Sequence, residues 1–169
     1  MFSVKYIYSF TYFNKNLTLL LTFHIIFYEF IRYTSKMKKI TLNTPCPCGS
    51  HIKYKKCCAL YHKGAFPKTA LALMKSRYTA YVRADSRYII QTTHPDNSDY
   101  TDDAKSWKES IENFSKITEF LGLEIIDFFD GNEQAWVEFK AKLSTGDMVE
   151  KSHFFKVNGR WLYHSGEFN

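Results

Sequence analysis

Four cysteines fall within 13 residues, as Cys46-Pro47-Cys48-Gly49-Ser50 followed by Cys57-Cys58, and the other residues of the 169-residue chain include none. Thiolates are soft metal ligands as well as nucleophiles and redox centres. Two near-neighbour pairs joined by an eight-residue loop can close a tetrahedron around zinc from one short segment, with sulfurs about 2.3 Å from the ion. Gly49 stands where the chain must turn sharply and a positive φ helps. Ser50 can hydrogen-bond backbone groups in that turn, and Pro47 stiffens the first pair. Four thiolates and one zinc ion leave surplus negative charge, which Lys53, Lys55 and Lys56 inside the loop would offset. Two structural disulfides are one alternative, although a Cys57–Cys58 bridge would strain the backbone; a set of unliganded thiols is another. Zinc is the favoured reading, because reduced cysteine clusters in cytoplasmic proteins usually hold metal. His51 and His62 are available as replacement ligands; with four cysteines present, both read as surface residues.

The stretch Cys46-Pro47-Cys48-Gly49-Ser50 to Lys53-Tyr54-Lys55-Lys56-Cys57-Cys58 resembles the SEC-C motif. That motif is named for the C-terminal tail of the bacterial protein-secretion ATPase, where it binds zinc and contacts the export chaperone and the ribosome. Its usual glycine after the serine is replaced here by His51, with Ile52 next. The resemblance implies Zn(2+) held by Cys46, Cys48, Cys57 and Cys58, and a protein or ribosome partner.

Charge divides the chain. Residues 1–36 carry four basic groups and one acid, residues 37–68 seven basic groups and no acid, and residues 69–169 twelve basic and sixteen acidic groups. A mildly acidic domain therefore follows a basic, cysteine-bearing head. Lys53, Lys55, Lys56, Lys63 and Lys68, interleaved with Tyr54 and Tyr61, suit an acidic protein partner or RNA phosphates, or serve only to offset the thiolates and keep the head soluble. No recognition helix or RNA-binding signature supports base-specific reading. Residues 1–36 hold 11 of the 30 aromatics. The apolar run Leu17–Phe27 is short of the roughly 20 residues a spanning helix needs. The reading adopted is a start at Met37, with 1–36 as upstream sequence; a weak membrane anchor and a cleaved signal are the alternatives. The expected division is 1–36, a zinc-binding head over 37–66, and a second domain over 67–169.

The elements that must position these groups follow from periodicity. Thr69–Ser86 reads as a helix with Leu71, Met74, Tyr78, Tyr81 and Val82 on one apolar face. Tyr88–Thr93 is a short second helix or a continuation of the first, ended by His94-Pro95. Ala104–Ile117 is a third, with Trp107, Ile111 and Phe114 on one side. Strands are expected over Leu121–Phe129, Gln134–Leu143, Met148–Val157 and Arg160–Ser165, with Asn158-Gly159 as a hairpin turn. Helices first and an antiparallel meander after them argue for an α+β fold, a curved sheet wrapped on helices.

That order resembles the nuclear transport factor 2-like cone, and the match extends to the YchJ family, which joins a SEC-C motif to such a domain. The stretches that carry it are Leu73–Val82, Thr93-His94-Pro95, Phe120–Leu123, Glu150–Phe154 and Asn158–Tyr163. The family usually has tryptophan at Thr93 and Phe120 and arginine at Lys151 and His153, and many members carry a second cysteine motif at the C-terminus that this sequence does not have. The resemblance brings no established activity. It does imply a pocket between sheet and helices. The candidates to line it are Arg77, Tyr78, Tyr81, His94 and Trp107, with His153 and His164 as further titratable groups. Such a pocket could take a small molecule and, in some cone folds, supports isomerase- or dehydratase-like acid–base chemistry. Each candidate also has a plainer role: Tyr78 and Tyr81 in the core, Arg77 in an ion pair with a group such as Glu150, His94 at a helix end, His153 on a strand surface. No nucleophile elbow, phosphate loop or paired-carboxylate signature is present. The function expected from sequence is therefore binding: a cytoplasmic zinc protein docking through its basic head. Cys46→Ser or Cys57→Ser is expected to unfold the head and leave the cone domain mostly folded.

Overall fold

The computed structural model describes residues 40–168; the expectations for 1–36 lie outside them. Residues 41–168 cluster into one unit, so the cysteine head and the sheet domain share it. The head is a short strap: Pro45 bridges to Lys53, a 3-10 turn spans Tyr54–Lys56, and one helical turn, α1, spans Ala59–His62. Three helices follow, α2 (Ala70–Val82), α3 (Ser86–Gln91) and α4 (Ala104–Ile117), then strands β1 (Phe120–Asp130), β2 (Gln134–Leu143), β3 (Met148–Val157) and β4 (Arg160–Phe168). The strands form an antiparallel meander in the order β1-β2-β3-β4. The fold is the α+β cone expected from the order of elements.

Local chemistry explains the boundaries. Thr69 caps α2 by accepting from the Ala72 N–H at 3.1 Å, an ordinary N-cap. The helix expected over Thr69–Ser86 stops four residues sooner, at Val82. Asp85 N–H donates to Ala80 O and Ala84 N–H to Tyr81 O, and Ala84 takes φ 53°. This is a Schellman ending with alanine where glycine is usual, so the sequence carries no visible stop. Asp85 then caps α3 through the Tyr88 N–H at 3.2 Å. Asn158 and Gly159 both adopt positive φ, 50° and 76°, as a two-residue hairpin of the twisted kind requires.

The sheet is bent by register shifts in β1 at Phe120/Gly122 and Ile125/Asp127 and in β4, where His164 is the extra residue opposite His153/Phe154, each of which adds local twist. On β2, Ala135, Val137, Phe139, Ala141 and Leu143 are buried and their neighbours are not. That face meets α2, which touches β1, β2 and β4. The expected single apolar face of α2 is only part of its burial. Leu73, Met74, Tyr78 and Tyr81 are buried, but so are Ser76, Arg77 and Thr79, while Leu71 and Val82 are only half-buried. A helix buried nearly all round lies between two layers, here the sheet and the cysteine head.

Candidate functional site: four thiols against a buried helix

The first cysteine pair sits in a tight hairpin. Cys46 N–H donates to Ile52 O at 2.8 Å and Tyr54 N–H to Thr44 O at 2.9 Å. Gly49 has φ 77°, and a Cβ there would press to 3.3 Å on the Leu123 carbonyl of β1, so glycine is required by conformation and by space. His51 takes φ 59°, the left-handed conformation that glycine would adopt without strain. The 3-10 turn then carries the chain back to Cys57 and Cys58.

The four Sγ atoms all lie within 4.8 Å of one another. Cys48 and Cys57 are 3.6 Å apart, and Cys57 and Cys58 3.9 Å. Two sulfurs bound tetrahedrally at the usual zinc–thiolate length would be about 3.8 Å apart. Cys46, Cys48 and Cys58 are buried and Cys57 is half-buried. All four are free thiols, with no disulfide between them. Crowding makes Cys46, Cys48 and Cys58 titrate unequally. Hydrogen bonds from Cys48 and Cys58 hold Cys46 far below the usual thiol range, while the same contact with Cys46 pushes Cys48 up to about 11 and Cys58 further up. One thiolate is thus solvated by its neighbours at their expense, and only a cation at the centre would let all four ionise together. The donor set and spacing fit a metal ion.

Hydroxyls surround the sulfurs. Ser50 Oγ is 3.2 Å from Cys57 Sγ. From α2, Thr79 Oγ1 lies 3.5 Å from Cys58 Sγ and 3.8 Å from Cys46 Sγ. Cys58 Sγ also lies 3.8 Å from the Lys75 carbonyl. His51 is exposed, as expected. His62 is not: it is buried, which corrects its reading as a surface residue, and it is not among the clustered ligand atoms. Its Nδ1 accepts from the Tyr54 hydroxyl at 2.8 Å and its Nε2–H donates to Ser76 O at 3.0 Å, while its ring leans on Tyr88. Both ring nitrogens are occupied, so His62 pins the head to α2 and is no substitute ligand. Lys53, Lys55 and Lys56 are all exposed, leaving their charges open to solvent or a partner.

On its other side α2 borders a small cavity against the sheet. Its lining includes Arg77, Tyr78 and Tyr81 from α2 and Ser152 and Tyr163 from the sheet. The cavity measures about 20 Å³, room for about one water. Arg77 is buried and donates to Ile89 O at 2.9 Å, Thr92 Oγ1 at 2.6 Å and Thr93 Oγ1 at 3.2 Å. Its guanidinium stands 4.8 Å over the Tyr163 ring, and the Tyr163 hydroxyl donates to buried Glu150 at 3.1 Å. Burial lowers the Arg77 pKa, with the nearby Glu150 charge acting against it. Burial pushes Tyr78 up to about 12 and Tyr81 and Tyr163 further up, so these phenols hold their protons. Gly166 leaves the room: a Cβ there would collide with Glu150 Oε1 and the Tyr163 hydroxyl.

His94 and Trp107 do not join Arg77, Tyr78 and Tyr81 in this cavity. His94 lies beside β4, its N–H donating to Tyr163 O at 2.7 Å. Its Nδ1 accepts from the Asp96 N–H at 3.1 Å, and its ring is 5.2 Å from that of His164. Trp107 stacks edge-on with Tyr100, 5.3 Å away on α4's flank. His153 meets Glu167 across β3 and β4 at 3.1 Å.

Residues 69–166 match the YchJ middle NTF2-like domain, and residues 43–60 match the SEC-C motif. The chain belongs to the YchJ family. A UPF0225 protein of Streptomyces coelicolor is 38% identical over 128 residues, covering 73% of this chain and 95% of that relative. One of Serratia proteamaculans is 38% identical over 130 residues, covering 72% and 81%. The solution structure of a SEC-C motif containing protein from Rhodopseudomonas palustris superposes with a TM-score of 0.64 at 32% identity, covering 73% of this chain and 98% of that one. The crystal structure of another, from Psychrobacter arcticus, gives 0.60 at 29%, covering 75% and 84%. Within this YchJ chain, Thr79 belongs to the cone segment and the cysteines to the motif, so neither matched segment alone holds the complete surroundings of the thiols. Thr79 was hidden in the sequence because a threonine amid a helical run looks like any half-exposed position. Ser152 and Phe154 could have been found from parity on β3, where they alternate inward with Glu150. Among the described residues, no helix is long and apolar enough to cross a membrane.

Proposed function

We propose that this YchJ protein is a zinc-binding adaptor of the cytoplasm, its SEC-C head (37–66) docking on a protein, ribosome or RNA partner and its cone domain (67–169) serving as the scaffold. The observation that carries the reading is the convergence of four sulfurs to within 4.8 Å, at separations suited to tetrahedral zinc. Cys46, Cys48, Cys57 and Cys58 would be the ligands. Zinc there would act as a structural centre with all four positions taken by protein and none open for substrate. Exposed Lys53, Lys55 and Lys56 supply a cationic surface for an acidic partner. An acid–base enzyme built on the cone pocket is the second reading. The cavity of about 20 Å³ argues against it, being far below the roughly 300 Å³ of an ordinary ligand pocket.

The test is metal content by mass spectrometry on the full chain purified without chelator, with a thiol count alongside. One zinc per chain, with four thiols released only after denaturation and chelation, is the expected result. No metal together with two disulfides would overturn it. For docking, binding of purified ribosomes or RNA that falls steeply with salt, and is lost when Lys53, Lys55 and Lys56 are changed to Glu, would support the cationic surface; binding indifferent to both would remove it.

A further inference from the structure

We infer that Thr79, a residue of the cone domain, is a positioning residue for the metal centre, its hydroxyl held against the Cys58 sulfur and tying metal occupancy to α2. This rests on the zinc reading above. Thr79 is 0% exposed and Cys58 1%, so water has no access to replace the contact. The hydroxyl has one proton and three acceptors in reach: Cys58 Sγ at 3.5 Å, Cys46 Sγ at 3.8 Å and Lys75 O at 3.1 Å. Threonine in a helix commonly donates to the carbonyl four residues back. With Cys58 as a thiol, its S–H also points to Lys75 O, at 3.8 Å.

A metal held by Cys58 would leave its sulfur purely an acceptor, and the Thr79 hydroxyl, 3.5 Å away, is the buried donor that would meet it; a hydrogen bond to a charged acceptor is the stronger one. The sulfur is fixed in position relative to α2, and α2 in turn presents Met74, Arg77, Tyr78 and Tyr81 to the cavity. Ser50 plays a comparable part for Cys57 but lies within the motif itself; Thr79 is 21 residues from Cys58, in the other domain. The cone therefore supplies part of the metal's surroundings.

The experiment uses the full chain and three variants: Thr79→Val, which keeps the shape without the donor, Thr79→Ser, which keeps the donor, and Thr79→Ala. Zinc affinity is measured by competition with a chromogenic chelator, and the thiolate-to-metal charge-transfer band is read with Co(II). Thr79→Val is expected to bind zinc about 10-fold more weakly, the usual cost of losing an outer partner, with a displaced band, while Thr79→Ser stays with the parent on both. Equal affinity and an identical spectrum for Thr79→Val would overturn the inference. Should Thr79→Val not fold, the Ser and Ala variants decide: Ser retaining affinity that Ala loses supports the role, and equal values refute it. A parent that takes up no metal overturns the zinc reading and this inference with it; a parent that binds zinc while Thr79→Val is unchanged overturns this inference alone.

Discussion

The cysteine head and the cone domain are held by different means. The cone has a contiguous core: α2 and α3 contribute Leu73, Met74, Tyr78, Tyr81 and Ile89, and the sheet contributes Val137, Phe139, Phe154 and Trp161. The described part of the head buries chiefly three cysteines, Tyr54, Ala59 and His62, while Leu42, Ile52, Leu60 and Phe66 remain exposed. A segment this short does not bury enough apolar surface to fold alone. It must be closed by a metal, by its seat on α2, or by both. The comparison teaches that the motif and the helix form one structural problem: the sulfurs come from the head, but Thr79, Lys75 O and Ser76 O meet it from the cone.

The strongest way to break the head is Cys58→Ser. Zinc content should fall to none, removing a binding free energy on the order of 10 kcal/mol. The cone should keep a cooperative melt, followed by near-UV circular dichroism, at a lower temperature than the parent because Ser76 and Thr79 lose their cover. Disappearance of the whole transition would show that the cone has no independent stability, against the expectation from sequence. The converse experiment breaks the cone. Arg77→Met removes a buried cation from the Glu150–Tyr163 cluster, and losing one member of a buried charged set costs about 3–5 kcal/mol. Urea denaturation should show that loss with zinc stoichiometry unchanged. Loss of zinc together with the stability would mean that the two sides of α2 cannot be perturbed separately.

Sequence made the two regions legible to different depths. The head was readable because metal chemistry fixes residue type and spacing: four cysteines in 13 residues admit few uses. The sheet was readable because alternation survives in β2, and because Asn158-Gly159 states its turn. What stayed hidden was tertiary. The stop of α2 at Val82 rests on Ala84 accepting a left-handed conformation, which no residue type announces. The second buried side of α2 is polar, with Ser76 and Thr79, so a search for an apolar face passes over it. His94 and Trp107 are the residue types a pocket would use, yet His94 is tied to β4 through Tyr163 O and Trp107 packs on Tyr100. His62 looked like a surface residue until Tyr54 and Ser76 supplied its two partners.

His62 also gives the finest test of how the head sits. Burial holds its pKa below the ordinary value of 6.5, because the folded site favours the neutral ring, with Nδ1 accepting and Nε2–H donating. Above pH 6.5 the ring is neutral in both states and pH has no effect through this group. Below it, the unfolded chain binds a proton that the folded chain refuses, so stability falls as the solution is acidified. One proton corresponds to at most about 1.4 kcal/mol per pH unit, and the loss levels off below the folded pKa. Thiol protonation and metal release also weaken the protein in acid, so the informative quantity is a difference. His62→Gln keeps an amide to meet Tyr54 and Ser76 O and cannot titrate. From pH 6.5 to 5 the parent should lose stability to urea more steeply than this variant, by up to that one-proton slope. Parallel curves would mean that the imidazole takes up its proton in place, with the Tyr54 hydroxyl turning from donor to acceptor at Nδ1, and that burial of the ring does not hold it neutral.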